Sequence, residues 1–177
     1  MELPMDLPME RFATFDRAGN PLGLVPRAEV HRDGHWHKSA QVFLFDQAER
    51  LLLQKRAPDK DLYADLWDYS VGEHLQPGES YEQAALRGLD EELGIRQAQL
   101  VRLGGVRFVE LAGEDFCDRE IQQAFRATCQ GAIRFDPVEV SEVRFLERSA
   151  LAAWTAREPA AFTPWFLCDL REFGFLP

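Results

Sequence analysis

The 177-residue chain is 46% hydrophobic and 28% charged, the balance of an ordinary globular protein whose core suffices without disulfides or a structural metal. Thirty acidic against twenty basic residues give a net charge of −10, which excludes a general binder of nucleic acid or anionic membrane. An acidic protein acting on phosphates needs a divalent cation to screen the encounter.

Residues 1–10, acidic and broken by Pro4 and Pro8, read as a flexible tail without a secretory pattern, and residues 11–177 as a single α/β domain. Arg11–Phe15 and Pro21–Pro26 flank Asp16-Arg17-Ala18-Gly19-Asn20, a hairpin turn by composition. Residues 27–33 suit a short helix. Gln41–Phe45 and Leu51–Lys55 form a second hairpin, followed by a polar loop over Ala57–Asp65 and the cluster Leu66-Trp67-Asp68-Tyr69-Ser70-Val71, in which Trp67 reads as core. The clearest helix covers residues 80–93, with Ser80 and Gln83 forming a capping box and Gly94 stopping it. Gln99–Phe108, Glu120–Thr128 and Val143–Leu146 read as strands, with a Gly- and Glu-bearing loop between the first two. Residues 148–156 and 162–173 read as helices. The three cysteines Cys117, Cys129 and Cys168 lack metal-ligand spacing and read as reduced thiols. No apolar run reaches the ~20 residues that span a bilayer. A cytoplasmic protein is expected.

The chemistry is concentrated in GEHLQPGESYEQAALRGLDEELGI, Gly72 to Ile95. Spacing at 100° per residue puts Ala85, Leu86, Leu89 and Leu93 on the core face and projects Glu91 and Glu92 from another side. Arg87 lies one turn before Glu91, at ion-pair spacing, and Glu79 is close enough to support Arg87 or the cap. Two neighbouring carboxylates near a loop backbone make a hard-oxygen site suited to Mg²⁺ or Mn²⁺.

This segment resembles the Nudix box. Glu79, Arg87, Leu89, Glu91, Glu92, Gly94 and Ile95 match that pattern at its spacing, and Gly72 and Gly78 match its flanking glycines. The resemblance implies a Nudix-type α/β/α sandwich with a mixed sheet. It also implies metal-dependent hydrolysis of a diphosphate linkage, with Mg²⁺ or Mn²⁺ at Glu79, Glu91, Glu92, Glu120 and the loop backbone of Gly72. Two positions depart from the pattern. Its first Gly is Glu73 here, and the metal-binding Glu after the Arg is Gly88. Close helix packing is one explanation of Gly88; a shifted metal with another carboxylate as ligand is the other.

From about Ala13 to Trp165 the chain resembles the branch related to isopentenyl-diphosphate isomerase. His37, Leu66-Trp67, Ser70-Val71, His74 and Phe162-Thr163-Pro164-Trp165 carry the likeness. It aligns His37 and His74 with metal-binding histidines and Asp118 and Glu120 with an acidic pair. His31 and His35 fall out of register. The catalytic Cys of the isomerases is Gly72 here. A glycine has no proton to give, so a hydrolase is favoured over an isomerase.

The expected catalytic set is Glu91, Glu92, Arg87 and Glu120, with Glu120 or Glu114 as the base. Lys55, Arg56, His37 and His74 are expected to contact substrate, a small organic diphosphate. No nucleic-acid polymer or membrane partner is expected, and a homodimer is left open. The alternatives are an isopentenyl-diphosphate isomerase-like protein and a catalytically silent nucleotide- or diphosphate-binding module, for which Gly88 speaks.

Overall fold

Ten consecutive residues, Trp36–Phe45, form the central strand β3, and nine of them are buried. Such a strand needs apolar cover on both faces. Ala40, Val42 and Leu44 point to one core, whereas Phe43 and Phe45 point to another. In the computed structural model, which describes residues 10–60, 62–128 and 131–176, these cores lie on opposite sides of one mixed sheet. The fold is the α/β/α sandwich expected from sequence. The tail, apart from Glu10, lies outside the described residues, as does Cys129.

The elements run β1 (Arg11–Phe15), β2 (Pro21–Pro26), α1 (Arg27–Asp33), β3, β4 (Leu51–Arg56), β5 (Trp67–Asp68), β6 (Val71–His74) and α2 (Tyr81–Leu93). They continue with β7 (Gln99–Ala112), β8 (Cys117–Thr128), β9 (Val140–Leu146), α3 (Arg148–Arg157), a 3₁₀ turn (Pro159–Ala161) and α4 (Pro164–Glu172). β3 pairs antiparallel with β1, β4 and β6 and parallel with β8. α2 covers one face, through Ala84, Ala85, Leu89 and Leu93. Leu151, Phe166 and Leu170 of α3 and α4 cover the other.

Several boundaries differ from expectation; β9, for one, begins at Val140 rather than Val143. β3 begins at Trp36, because His37, Ser39 and Gln41 are buried polar residues that alternate with the apolar ones. β7 and β8 continue to Ala112 and from Cys117, so only Gly113–Phe116 remains of the expected loop. Leu86 does not face the core but is 40% exposed. α2 is rolled toward Gly88 and Glu92, both buried, because Gly88 sits against β6: a Cβ there would lie 2.5 Å from Val71 Cγ1. That contact bears out close packing as a reason for the glycine. The capping box and the left-handed Gly94 (φ 68°) are as expected.

Candidate active site

Two polar clusters meet at β6, whose residues alternate between the faces of the sheet. Glu73 turns toward α2 and His74 toward the opposite face. The pairings Ser39↔His74 and His37↔Glu120 fix the second cluster. The capped start of α2 fixes the first.

On the α2 side, Arg87 is the hub. Its Nε and Nη2 donate to the two oxygens of Glu79 at 2.9 Å, and Nη2 also donates to the His74 carbonyl at 2.8 Å. Nη1 lies 3.1 Å from Glu73 and 3.4 Å from Glu91. Glu79 also accepts from the Gln76 backbone N–H. Both its oxygens are engaged in bracing the loop, and Glu79 is not among the residues that line the adjoining cavity. Arg87, Glu73, Glu91 and Glu92 line a cavity with Gly72, Gln54, Arg56 and Lys60. Glu92 is buried at its floor, while the Glu91 side chain is 61% exposed. Burial pushes the Glu92 carboxyl well above the usual carboxylate range, and the neighbouring Glu73 pushes it further. Burial raises Glu73 to about 7, against the pull of Arg87.

Opposite, His37 is fully buried, and its Nδ1–H donates to the His35 carbonyl at 3.0 Å. Its Nε2 therefore carries a lone pair, has no hydrogen-bond partner, and faces Asp118 at 3.6 Å and Glu120 at 3.7 Å. Burial, and then His74, lower His37 to about 3. A neutral ring aimed at carboxylates suits a cation between them. His74 Nε2 lies 3.2 Å from Glu120, which also accepts from Ser39 and Gln122. Burial raises the Glu120 carboxyl, but His74, His37 and Gln122 outweigh it and hold Glu120 below its usual range. Such a carboxylate is a poor proton acceptor. His31 completes the group, its ring 5.2 Å from that of His37 and 5.6 Å from that of His74. Counting residues from His37 misplaces His31, because it lies in the last turn of α1 and the helix folds it back over the strand. His31, His37 and His74, or His37, Asp118 and Glu120, bring ligand atoms within 4.8 Å of one another.

The sheet therefore separates residues that the sequence reading grouped. Glu120 belongs with the histidines and not with Glu91 and Glu92. Glu114 is exposed in the β7–β8 turn and lines neither cavity. Lys55 also lines neither: it shares the face of Leu51 and Leu53, whereas Gln54 and Arg56 face the site. Arg56 lines both cavities and is held by Asp68 at 3.0 Å and the Leu62 carbonyl at 3.1 Å. Asp68 in turn accepts from Thr163 and Trp165 at 2.9 Å. Trp67 is core, as expected. Gln54, Lys60 and the bracing Asp68 gave no sequence signal, being isolated polar residues in apolar or loop contexts.

A model of the NUDIX domain matches residues 35–166. The chain belongs to the Nudix family. Its branch is the one resembling isopentenyl-diphosphate isomerase. The Nudix chain is 39% identical over 161 residues to an isopentenyl-diphosphate Delta-isomerase of Nocardia farcinica (strain IFM 10152), covering 90% of this chain and 91% of that one. It is 36% identical over 148 residues to an uncharacterized Nudix hydrolase of Pseudomonas aeruginosa, covering 84% of each. A Deinococcus radiodurans crystal structure superposes with TM-score 0.72 at 22% identity, over 92% of this chain and 98% of that one. The MutT protein of Methanosarcina mazei Go1 gives 0.61 at 19% identity, over 78% and 93%. At these identities the two structures show the fold alone. Among the described residues no helix is long and apolar enough to cross a membrane.

Nudix proteins generally use a divalent metal, and the buried Glu92 carboxyl and the orphaned His37 Nε2 both fit one. The sign of the pH dependence follows. Glu73 and Glu92 bind protons more tightly folded than unfolded, where a Glu titrates near 4.5. Each stabilises most at low pH and loses that contribution as pH rises through its folded value. His37 acts oppositely, but only below its unfolded value of 6.5. Metal-free protein is therefore expected to lose melting temperature between pH 6.5 and 8, and Mg²⁺ to raise it more at pH 8 than at pH 6.5. Thermal scans with and without Mg²⁺ at both pH values check this; an equal Mg²⁺ effect would refute it.

Proposed function

We propose that the protein is a Mg²⁺- or Mn²⁺-dependent diphosphohydrolase that cleaves a phosphoric anhydride in a nucleoside diphosphate derivative or related organic diphosphate. The observation that carries this reading is the buried Glu92 carboxyl beside Glu91, in a cavity that also presents Arg56 and Lys60. Bound metal would neutralise phosphoryl oxygens and lower the pKa of a water. Glu92 and Glu91 are the residues that would hold it. Arg56, pinned by Asp68, directs its guanidinium at the phosphate region and keeps that charge fixed, so no reorganisation is needed during reaction. Arg87 holds Glu91 and the 74–79 loop in position without meeting substrate. Gly72 lines both cavities and offers only its backbone.

One observation favours a second reading. The cluster of His31, His37 and His74 with Asp118 and Glu120 is intact, and a relative named an isopentenyl-diphosphate isomerase is 39% identical. Against isomerisation stands Gly72, which has no acidic side chain at the position of the isomerases' Cys. The deciding experiment incubates the protein with nucleoside diphosphates, nucleotide sugars and isoprenoid diphosphates, with and without Mg²⁺, and follows both phosphate-ester products and double-bond migration. Hydrolysis that requires Mg²⁺ is the expected result. Double-bond migration without cleavage would select the isomerase-like reading, and saturable binding without turnover the silent module.

A further inference from the structure

Gly88 and Glu73, the two positions that leave the box pattern, are neighbours in space. A Cβ on Gly88 would lie 3.3 Å from both Glu73 Cβ and Glu73 Oε2. The Glu73 carboxylate thus crosses from β6 into the space that a side chain at position 88 would enter. It lines the same cavity as Glu91 and Glu92, and its Oε2 is fixed by Arg87 at 3.1 Å. A second feature of the cavity points to a cation. Gln54 is 6% exposed, its side chain pulls against the upward shift of the Glu92 carboxyl, and its buried side-chain oxygen has no hydrogen-bond partner. A buried carbonyl-type oxygen without a donor, beside two carboxylates, is a ligand set for a hard divalent ion.

We propose that Glu73 is a metal ligand of this site, working with Glu92 and the Gln54 side-chain oxygen, and that it delivers from strand β6 the carboxylate that the box pattern carries on the helix at position 88. The two departures are then one exchange. The carboxylate has moved from α2 to β6, and glycine at 88 leaves room for it. This rests on the metal-dependent reading of the site and adds Glu73 and Gln54 to Glu92 and Glu91 as residues that would hold the ion.

The test is calorimetric titration of the full chain with Mn²⁺ alone, which needs no substrate. Glu73→Gln keeps the size of the side chain and is expected to weaken Mn²⁺ binding by about tenfold or more, with an unchanged far-ultraviolet circular dichroism spectrum. Returning the carboxylate to the helix, as the triple variant Val71→Ala, Glu73→Gly, Gly88→Glu, is expected to bind Mn²⁺ more tightly than Val71→Ala, Glu73→Gly. Wild-type Mn²⁺ affinity in Glu73→Gln, with affinity lost in Glu92→Gln, would overturn the role of Glu73 and leave the metal site standing. Wild-type affinity in both would overturn the metal site itself. A triple variant no tighter than its double parent would overturn the exchange of positions.

Discussion

Replacing Glu92 by Gln is expected to lower Mg²⁺-dependent turnover by about 10³-fold, equivalent to roughly 4 kcal/mol of transition-state stabilisation. The same variant is expected to melt no lower, and in metal-free buffer at pH 8 higher, than the wild type. Both effects come from one carboxyl. It is buried on the floor of the cavity with Glu73 pushing on it, so ionising it costs free energy that only a cation can return. Glutamine keeps the shape and the contact with Gln54 and removes the charge. A residue retained at the expense of stability points to function, and the opposed signs separate this from a packing role. Steady-state kinetics and metal-free thermal scans on the same preparation decide it. Near-wild-type turnover, or a fall in melting temperature at pH 8, would count against Glu92 as the ligand.

The part of this architecture that was legible in the sequence is the part written locally. Capping at Ser80, the stop at Gly94 and the arginine one turn before Glu91 are short-range patterns, and each appears where its spacing put it. Hydrophobic alternation located most strands but not their ends, because β3 starts with buried polar residues that look like loop in a one-dimensional reading, and it missed β5 and β6, which are only two and four residues long. What spacing does not carry is the face of the sheet. Glu120 and Glu91 are both acidic residues near the site, yet the parallel pairing of β3 with β8 binds Glu120 to His37 on one side while α2 keeps Glu91 on the other. Lys55 and Arg56 are adjacent in sequence, and alternation alone sends only Arg56 to the cavity. Glu73 was visible as a departure from the pattern. Its meaning needed the distance to Gly88.

Arg87→Met is expected to act in the opposite sense to Glu92→Gln, destabilising the fold by about 3 kcal/mol at neutral pH as well as lowering turnover. One guanidinium faces three carboxylates, those of Glu73, Glu79 and Glu91, and also carries the His74 carbonyl. Methionine preserves much of the apolar stem but leaves those groups facing one another half-buried. Burial raises the Glu79 carboxyl, yet the Arg87 hydrogen bond and the Gln76 N–H outweigh it and hold Glu79 below its usual value of 4.5. That contribution is present above pH 4.5 and lost as pH falls through the folded value. The gap between wild type and variant is therefore expected to be widest at neutral pH and to narrow below pH 4.5, in denaturant titrations run at both. A gap independent of pH would mean that Arg87 acts through packing alone. The charge count also favours the divalent ion proposed for this site. After Arg87 has neutralised one of its three carboxylates, a negative excess remains beside the buried Glu92, and among the described residues the other cations that line this cavity, Arg27, Arg56 and Lys60, are themselves paired with Glu10, Asp68 and Glu139.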